Sequence, residues 1–495
     1  MSASTITICL NEPTGIIRPE LHGQFAEHLG ACIDGGLWVG EESRIPNLGG
    51  LRTDVLEALR KLRPPVLRWP GGCFADDYHW EDGIGPRRER PRRVNLWWGQ
   101  GIEDNHFGTH EFIHLCRYLG AKPYLAGNVG SGTVREMRDW MEYCNYAGDS
   151  TLARRRGLNG SPLPFGVSYW GVGNENWGCG GNFCPEDYAA EYKRHATYLR
   201  DLSGANLFLI ACGPDGNNAD WTRRFFSKLG GFPRIYGYAA HYYCGTAGPS
   251  AIQFDTNQWY ELLEKAGRME QLLIEQRALL DTFDPQRKIG LIVDEWGVWH
   301  FPTPGRNAAH LWQQNALRDA LVAAITLDAF NRHADKIVMA NIAQIANVLQ
   351  AMVLTEGDRM ILTPTYHVFD MYQPHREGRG VRAEFTVPAI AFAVGEEKRQ
   401  IAGLCGSASI KGKALTLTVV NPHATLPMDA NVELRDGARV MELSGSLLTH
   451  DDLAAHNTFD APDAISVQHL VLEPTLPWRH TFPPASITAL RARLT

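Results

Sequence analysis

The sequence lacks a basic excess, a low-complexity tract, a cysteine framework and an uninterrupted apolar run of membrane length. Its 55 acidic and 48 basic residues give a formal net charge of −7. Nothing is left over to neutralise a phosphate backbone, which argues against nucleic acid as a partner. The one basic cluster, Arg87-Arg88-Glu89-Arg90-Pro91-Arg92-Arg93, contains Pro and Glu and reads as a solvated or interface loop. The ten cysteines stand at positions 9, 32, 73, 116, 144, 179, 184, 212, 244 and 405. That scatter has no disulfide spacing, so free thiols in a reducing cytoplasm are expected. Cys179 and Cys184 share a Gly-rich loop but have no second pair at zinc-like spacing, so no metal is expected. Met1–Leu10 has neither a basic n-region nor an apolar h-region, so no signal peptide is expected and the location is read as cytoplasmic. Residues 336–354 are apolar, but Asn341, Gln344, Asn347 and Gln350 interrupt them every third residue. A lipid-facing helix would not tolerate that pattern, so no membrane span is expected.

What is present points to carbohydrate. Fourteen Trp and sixteen Tyr supply aromatic faces on which sugar rings can stack, although core packing accounts for most of them. Strand-like segments recur at Pro19–Phe25, Pro65–Pro70, Lys122–Asn128, Ser168–Gly173, Asn206–Cys212, Ile235–His241, Lys288–Val293 and Lys336–Ile342. Helical patterns separate them, at Gly50–Leu62, Thr109–Leu119, Val134–Tyr146, Pro185–Leu202, Ala219–Leu229, Gln258–Leu280 and Ala308–His333. Eight strand–helix units predict an α/β fold closing into a (β/α)8 TIM barrel over residues 18–375. No Gly-x-Gly-x-x-Gly follows the first strand, which argues against a dinucleotide fold. From residue 376 to 495 the pattern turns to alternating strands at Ala414–Val420, Val432–Leu434, Ile465–Leu472 and Ser486–Leu494. This predicts a C-terminal antiparallel β-sandwich, jelly-roll-like, joined by a strand from residues 1–17.

Two of the predicted barrel strands run out in a glutamate, Glu175 in Gly173-Asn174-Glu175-Asn176-Trp177 and Glu295 in Val293-Asp294-Glu295-Trp296-Gly297. A carboxylate at the end of a buried strand is costly unless the strand opens into a polar cleft. In a barrel both would lie at the C-terminal rim, on strands four and seven. A facing carboxyl pair is the apparatus of glycoside hydrolysis. The same rims carry Glu27, Arg68, His241, Tyr243 and Gln350, a donor and acceptor set suited to sugar hydroxyls.

Taken together, Arg68-Trp69-Pro70-Gly71-Gly72, Gly83-Ile84-Gly85-Pro86, Gly173-Asn174-Glu175, His241-Tyr242-Tyr243, Asp294-Glu295-Trp296 and Asn347-Val348-Leu349-Gln350 resemble glycoside hydrolase family 51, the α-L-arabinofuranosidases. The resemblance implies Glu175 as general acid/base and Glu295 as nucleophile, without metal or organic cofactor. It implies Asn174 at the hydroxyl beside the anomeric carbon, Arg68 and Tyr243 on the nucleophile, and His241 on the acid/base side. Glu27 and Gln350 would clamp the far hydroxyls, with Trp98 and Trp177 lining the pocket. Glu175 is expected in a dry setting between Tyr169, Trp170 and Trp177. The family pattern has Asn where Cys73 follows Pro-Gly-Gly. That contact would be weakened, or replaced by Asp76, Asp77 or water, which leaves the sugar preference open. Galactofuranosidase, β-xylosidase and endo-β-glucanase specificities stay as alternatives on the same machinery, with a non-catalytic sugar-binding protein as a further one. Related enzymes are often hexamers, so a homo-oligomer is implied.

Overall fold

Eight parallel strands close into a barrel in the computed structural model, which describes residues 4–435, 437–474 and 478–495. They are β1 (Gly23–Phe25), β2 (Val66–Trp69), β3 (Lys122–Gly127), β4 (Tyr169–Val172), β5 (Phe208–Asp215), β6 (Gly237–Gly245), β7 (Gly290–Trp299) and β8 (Ile337–Ala343). Each pairs in parallel with its successor, and β8 pairs with β1. Every expected strand is present, and β1 alone is much shortened. Pro19–His22 forms a 3-10 turn instead, since Pro19 has no N–H to give to a ladder.

The expected helices are present, Thr109–Leu119 and Ala219–Leu229 with the expected ends and the others with shifted ones. The segment expected as Ala308–His333 divides into a short turn, Ala308–His310, and a helix, Leu317–Arg332. Two helices were not expected, Thr151–Leu158 and Pro364–Tyr372. Leu317–Arg332 is buried on almost every side, because it lies between the barrel and the C-terminal sheet. Its composition fits that position, with Ala, Leu, Val and Ile around the whole circumference. Arg318, Asp319, Thr326, Asp328 and Asn331 are its buried polar residues, and the Asp328 carboxylate accepts hydrogen bonds from Ser407, Thr418 and Tyr372. Those bonds tie the barrel to the sheet, and Asn331 to Ser407 and Trp259 to the Pro422 carbonyl add to them. Among the described residues, no helix is long and apolar enough to cross a membrane.

The second unit is a nine-stranded sheet. From one edge it runs Gln468–Leu472, Val440–Thr449, Ser486–Leu494, Ala414–Asn421, Cys405–Lys411, Arg379–Thr386, Ser4–Ile16, Met428–Leu434 and Trp478–Phe482. Ser4–Ile16 does join it, antiparallel to Arg379–Thr386 and parallel to Met428–Leu434, the sheet's one parallel pair. Leu415, Leu417 and Val419 share one apolar core with Ile6, Ile8, Val432 and Trp478. Strands far apart in the ladder thus face each other, and the sheet folds over into two layers. The segment 1–17 that was expected to supply a strand begins with residues 1–3, which lie outside the described residues.

The arginine cluster is less solvated than expected. Arg90 is buried and grips Glu111 through two nitrogens, while Arg87 pairs with Glu111 and Glu41. The cluster anchors its own loop to the helix Thr109–Leu119.

Candidate active site

The C-terminal ends of β2, β4, β6 and β7 converge on one group of polar side chains. On β6, His241 and Tyr243 are two residues apart and so share a face of the strand. Tyr242, between them, points away and donates to the Lys265 carbonyl. On β7, the pairing register slips: Ala240 lies opposite Val293, but His241 lies opposite Glu295. The same slip appears on the other side, toward β8. Asp294 is the extra residue of this bulge. In a regular strand, neighbours 294 and 295 would face opposite ways. Here both reach the arginine side chain on β2, with Asp294 Oδ2 at 3.7 Å from Arg68 Nε and Glu295 Oε1 at 2.8 Å from Arg68 Nη1.

Arg68 is the hub. It is buried, lies over the Phe25 ring, and donates to Glu295 Oε1 and to Asn174 Oδ1, the latter at 2.6 Å. Burial pulls its pKa down, but Asp294 and Glu295 outweigh that and hold it cationic. Below it, Asp294 accepts from Tyr124 at 2.5 Å and from Asn341 at 2.9 Å. Tyr243 donates to Glu295 Oε2 at 2.8 Å. His241 Nδ1 stands 2.9 Å from Glu175 Oε1 and 3.6 Å from Glu295 Oε2. Glu175, His241 and Glu295 each bring a polar atom within 4.8 Å of the others. The 120-residue spacing of the two glutamates along the chain is therefore closed by the barrel, as expected.

The two carboxyls sit in opposite electrostatic settings. Burial would raise both. At Glu295, His241 and Arg68 overcome it, and its pKa ends below the ordinary value. At Glu175, the hydrogen bond from His241 only partly offsets burial and the negative Glu295 adds to it, so its pKa ends above the ordinary value. His241 is itself raised, because the two glutamates outweigh its burial. One group is thus held ionised and its neighbour is biased toward the protonated form.

The backbone makes room for this. Glu175 follows β4 in a left-handed conformation, φ +41°, which is strained for a residue with a side chain. A Cβ at Gly72 would meet Glu295 Oε1 at 2.7 Å, and one at Gly71 would meet Glu27 Cγ at 2.6 Å. The Gly-Gly pair after β2 is therefore required by the two carboxylates that press against it.

Other expected residues fall out differently. Glu27 Oε1 accepts from the Gly72 and Phe74 amides and from Trp98 Nε1, and Oε2 accepts from Gln344. Burial and the nearby Glu295 raise its pKa to about 7. Trp98 is thereby placed against Glu27, whereas Trp177 is half-buried against the main core on the loop after Glu175. Gln350 needs correction. Its oxygen accepts from the Val298 amide and its nitrogen donates to the Asp319 carbonyl and Thr365 hydroxyl, and it is fully buried, so no polar atom is left for a sugar. Gln344, on the same segment, is the amide that reaches Glu27, and its buried Oε1 is unpartnered. Burial is the largest influence raising the Glu175 pKa, in keeping with the dry setting expected of it, while Tyr169 packs on Phe208 and Tyr236 and Trp170 on Trp140.

The cysteine expectation is overturned at one pair. Cys73 and Cys179 form a disulfide, while the other eight are free. They are 106 residues apart in sequence, and only barrel closure brings them together. Their sulfurs lie 4.0 and 3.6 Å from Glu175 Oε2, so this pair, with His241, surrounds that carboxyl. Asp76 does not stand in for Cys73. Its carboxylate is filled by the Val129, Gly130 and Asn174 amides, and burial raises its pKa to about 7. Sequence reasoning missed Tyr124, Asn341, Gln344 and Cys179 as parts of this site. The polar residues recurring every third position from Asn341 were the available signal for two of them.

Comparison with known proteins agrees with this geometry. Residues 58–251 match the family model described as Alpha-L-arabinofuranosidase 1 domain, and residues 294–486 match Alpha-L-arabinofuranosidase C-terminal domain. An intracellular exo-alpha-L-arabinofuranosidase of Bacteroides ovatus is 44% identical over 469 residues, spanning 94% of this chain and 90% of that protein. The crystal structure of the GH51 arabinofuranosidase from Xanthomonas axonopodis pv. citri superposes with a TM-score of 0.94 at 39% identity, covering 99% of this chain and 100% of that one. An arabinose complex of the Thermotoga maritima α-L-arabinofuranosidase gives a TM-score of 0.87 at 30% identity, with the same coverage. The chain belongs to glycoside hydrolase family 51, the α-L-arabinofuranosidases.

Proposed function

We propose that this glycoside hydrolase is a retaining, exo-acting α-L-arabinofuranosidase that removes terminal arabinofuranosyl residues from arabino-oligosaccharides or arabinoxylan fragments. The carrying observation is the unequal carboxyl pair: polar atoms of Glu175 and Glu295 within 4.8 Å, one pKa raised and the other lowered. Retaining enzymes hold their carboxyls about 5–5.5 Å apart, whereas inverting ones need about 6.5–9.5 Å to admit a water. In this reading Glu295, ionised beside Arg68, attacks the anomeric carbon while Glu175 protonates the departing oxygen. A covalent glycosyl-enzyme forms, and the negative charge on Glu295 is spent. Glu175, now a carboxylate, takes a proton from water as that water attacks the same carbon. Tyr243 steadies the nucleophile, and Arg68 holds both Glu295 and Asn174, which faces the adjacent hydroxyl. Action inside the cell is supported by the name of the Bacteroides ovatus relative, and a homo-oligomer by family likeness alone.

A panel of nitrophenyl furanosides and pyranosides, with the first-formed anomer followed by NMR, tests the reading. Preferential cleavage of the α-L-arabinofuranoside with retained configuration is expected. Preference for a galactofuranoside, xyloside or glucan, or an inverted product, would sink it.

Gly72→Ala is expected to lower kcat on the order of 10²-fold with KM little changed, because the added methyl displaces Glu295 by a fraction of an ångström. Steady-state kinetics alongside a thermal melt check it. A loss of kcat that tracks a loss of folded protein would count against the positional argument.

A further inference from the structure

The disulfide beside Glu175 has no part in the double displacement described above, yet its chemistry is that of a masked metal site. Cys73 opens the 3-10 turn after β2, and Cys179 lies on the loop that follows Glu175. Both are half-buried and border the cleft, whereas among the other eight described cysteines six are fully buried. The ligand atoms of Cys73, Glu175 and Cys179 all lie within 4.8 Å of one another. A tetrahedral Zn²⁺ bonds sulfur at about 2.3 Å and carboxylate oxygen at about 2.0–2.2 Å, which spaces its sulfur and oxygen ligands about 3.5 Å apart. The sulfur-to-oxygen distances of 3.6 and 4.0 Å are already close to that spacing. While the two sulfurs are bonded to each other, neither offers a cation a thiolate.

We propose that reduction of Cys73–Cys179 opens a site for a thiophilic divalent cation, held by the two thiolates and Glu175, with the fourth position open to the cleft. A dithiol supplies the electrons. Its thiolate attacks one protein sulfur, breaking the disulfide and forming a mixed disulfide. Its second thiolate attacks that bond, and the reagent leaves as a cyclic disulfide. Two electrons reach the protein, and two thiols result after protonation. The cation then displaces both thiol protons, and Glu175 completes the set as a carboxylate. The second acidic cluster, Glu175 with His241 and Glu295, is a poorer host. Glu295 is already engaged by Arg68 and Tyr243, and a cation there would have to break both contacts.

Binding at this site stands on geometry alone. That it also stops turnover rests on the reading of Glu175 as the acid/base, because a metal-bound carboxylate cannot carry the proton. Zn²⁺ is the probe. Enzyme treated with oxidised glutathione is compared with enzyme reduced by dithiothreitol and desalted without air. Native thiol titration is expected to rise by about two per chain on reduction, and retained zinc by about one equivalent. Micromolar zinc is expected to lower the activity of the reduced form about tenfold or more, reversibly with EDTA, and to spare the oxidised form. Cys184→Ser should keep the zinc response, while Cys73→Ser and Cys179→Ser should lose the additional equivalent. An unchanged thiol count, equal zinc in the two redox states, or full binding by Cys179→Ser would overturn the site. The comparison of redox states on the unaltered chain needs no variant to fold. Zinc bound without inhibition would remove Glu175 from the acid/base role if Glu175→Ala loses the additional equivalent, and would overturn the proposed ligand set if Glu175→Ala keeps it.

Discussion

Glu295→Ala is expected to lower kcat/KM for an aryl α-L-arabinofuranoside on the order of 10⁵-fold, the scale on which loss of a covalent nucleophile is felt. The alanine variant removes the carboxylate that forms the glycosyl-enzyme in the proposed mechanism. It also leaves Arg68 buried with Asp294 at 3.7 Å as its remaining carboxylate partner. Glu295→Gln keeps the side-chain volume and an acceptor oxygen for Arg68, so it separates lost chemistry from lost packing. Both variants should be equally inactive, and intact-mass measurement with a slow fluorinated arabinofuranoside should show a covalent adduct in the parent enzyme only. Activity within a factor of about a hundred of the parent in either variant would remove Glu295 from the nucleophile role.

Glu175→Ala is expected to behave differently, because the two carboxyls have unequal tasks. Loss of a general acid costs about 10²–10⁴-fold where the leaving group needs a proton. A dinitrophenyl leaving group needs none, so formation of the glycosyl-enzyme should be nearly spared and its hydrolysis should become rate-limiting. Azide, which needs no base, should then restore turnover and yield an arabinosyl azide of retained configuration. The pH dependence follows from the directions of the two shifts. Glu295 must be ionised, and its pKa is lowered, so kcat/KM falls only as pH drops below the ordinary carboxylate range. Glu175 must be protonated, and its pKa is raised, so kcat/KM falls as pH climbs through that raised value. The alanine variant should lose the alkaline fall and keep the acid one. An alkaline limb that survives the substitution would assign that proton to another group.

Much of this molecule was readable before folding. Strand and helix periodicities are local properties, and they placed all eight barrel strands in order. Glu175 and Glu295 were legible for a related reason. A charged residue ending a buried apolar run needs a polar opening, and a barrel has its openings at the strand ends. The bulge at Asp294 was not legible. It depends on how β7 pairs with two neighbours at once, and no feature of Val293-Asp294-Glu295 announces an extra residue. That Gln344 and not Gln350 reaches Glu27 was hidden for a similar reason. Both lie on one polar-spaced segment, and only the chain path after β8 decides which amide is consumed by Val298, Asp319 and Thr365.

Cys73 marks the division between the two kinds of information. Its position after Gly71-Gly72 was visible as a departure from a family pattern, and so was the chemistry it displaced. Its partner was not visible, because a disulfide depends on the separation of two Cβ atoms in space, and Cys179 is 106 residues away. The sequence by itself determined the elements, their order and the kinds of side chain at their ends, since these follow from periodicity and from the cost of burying charge. The tertiary structure alone decided which of those ends meet and how closely. Those distances set the electrostatics, holding Glu295 ionised, biasing Glu175 toward its proton, and placing a pair of sulfurs against that same carboxyl.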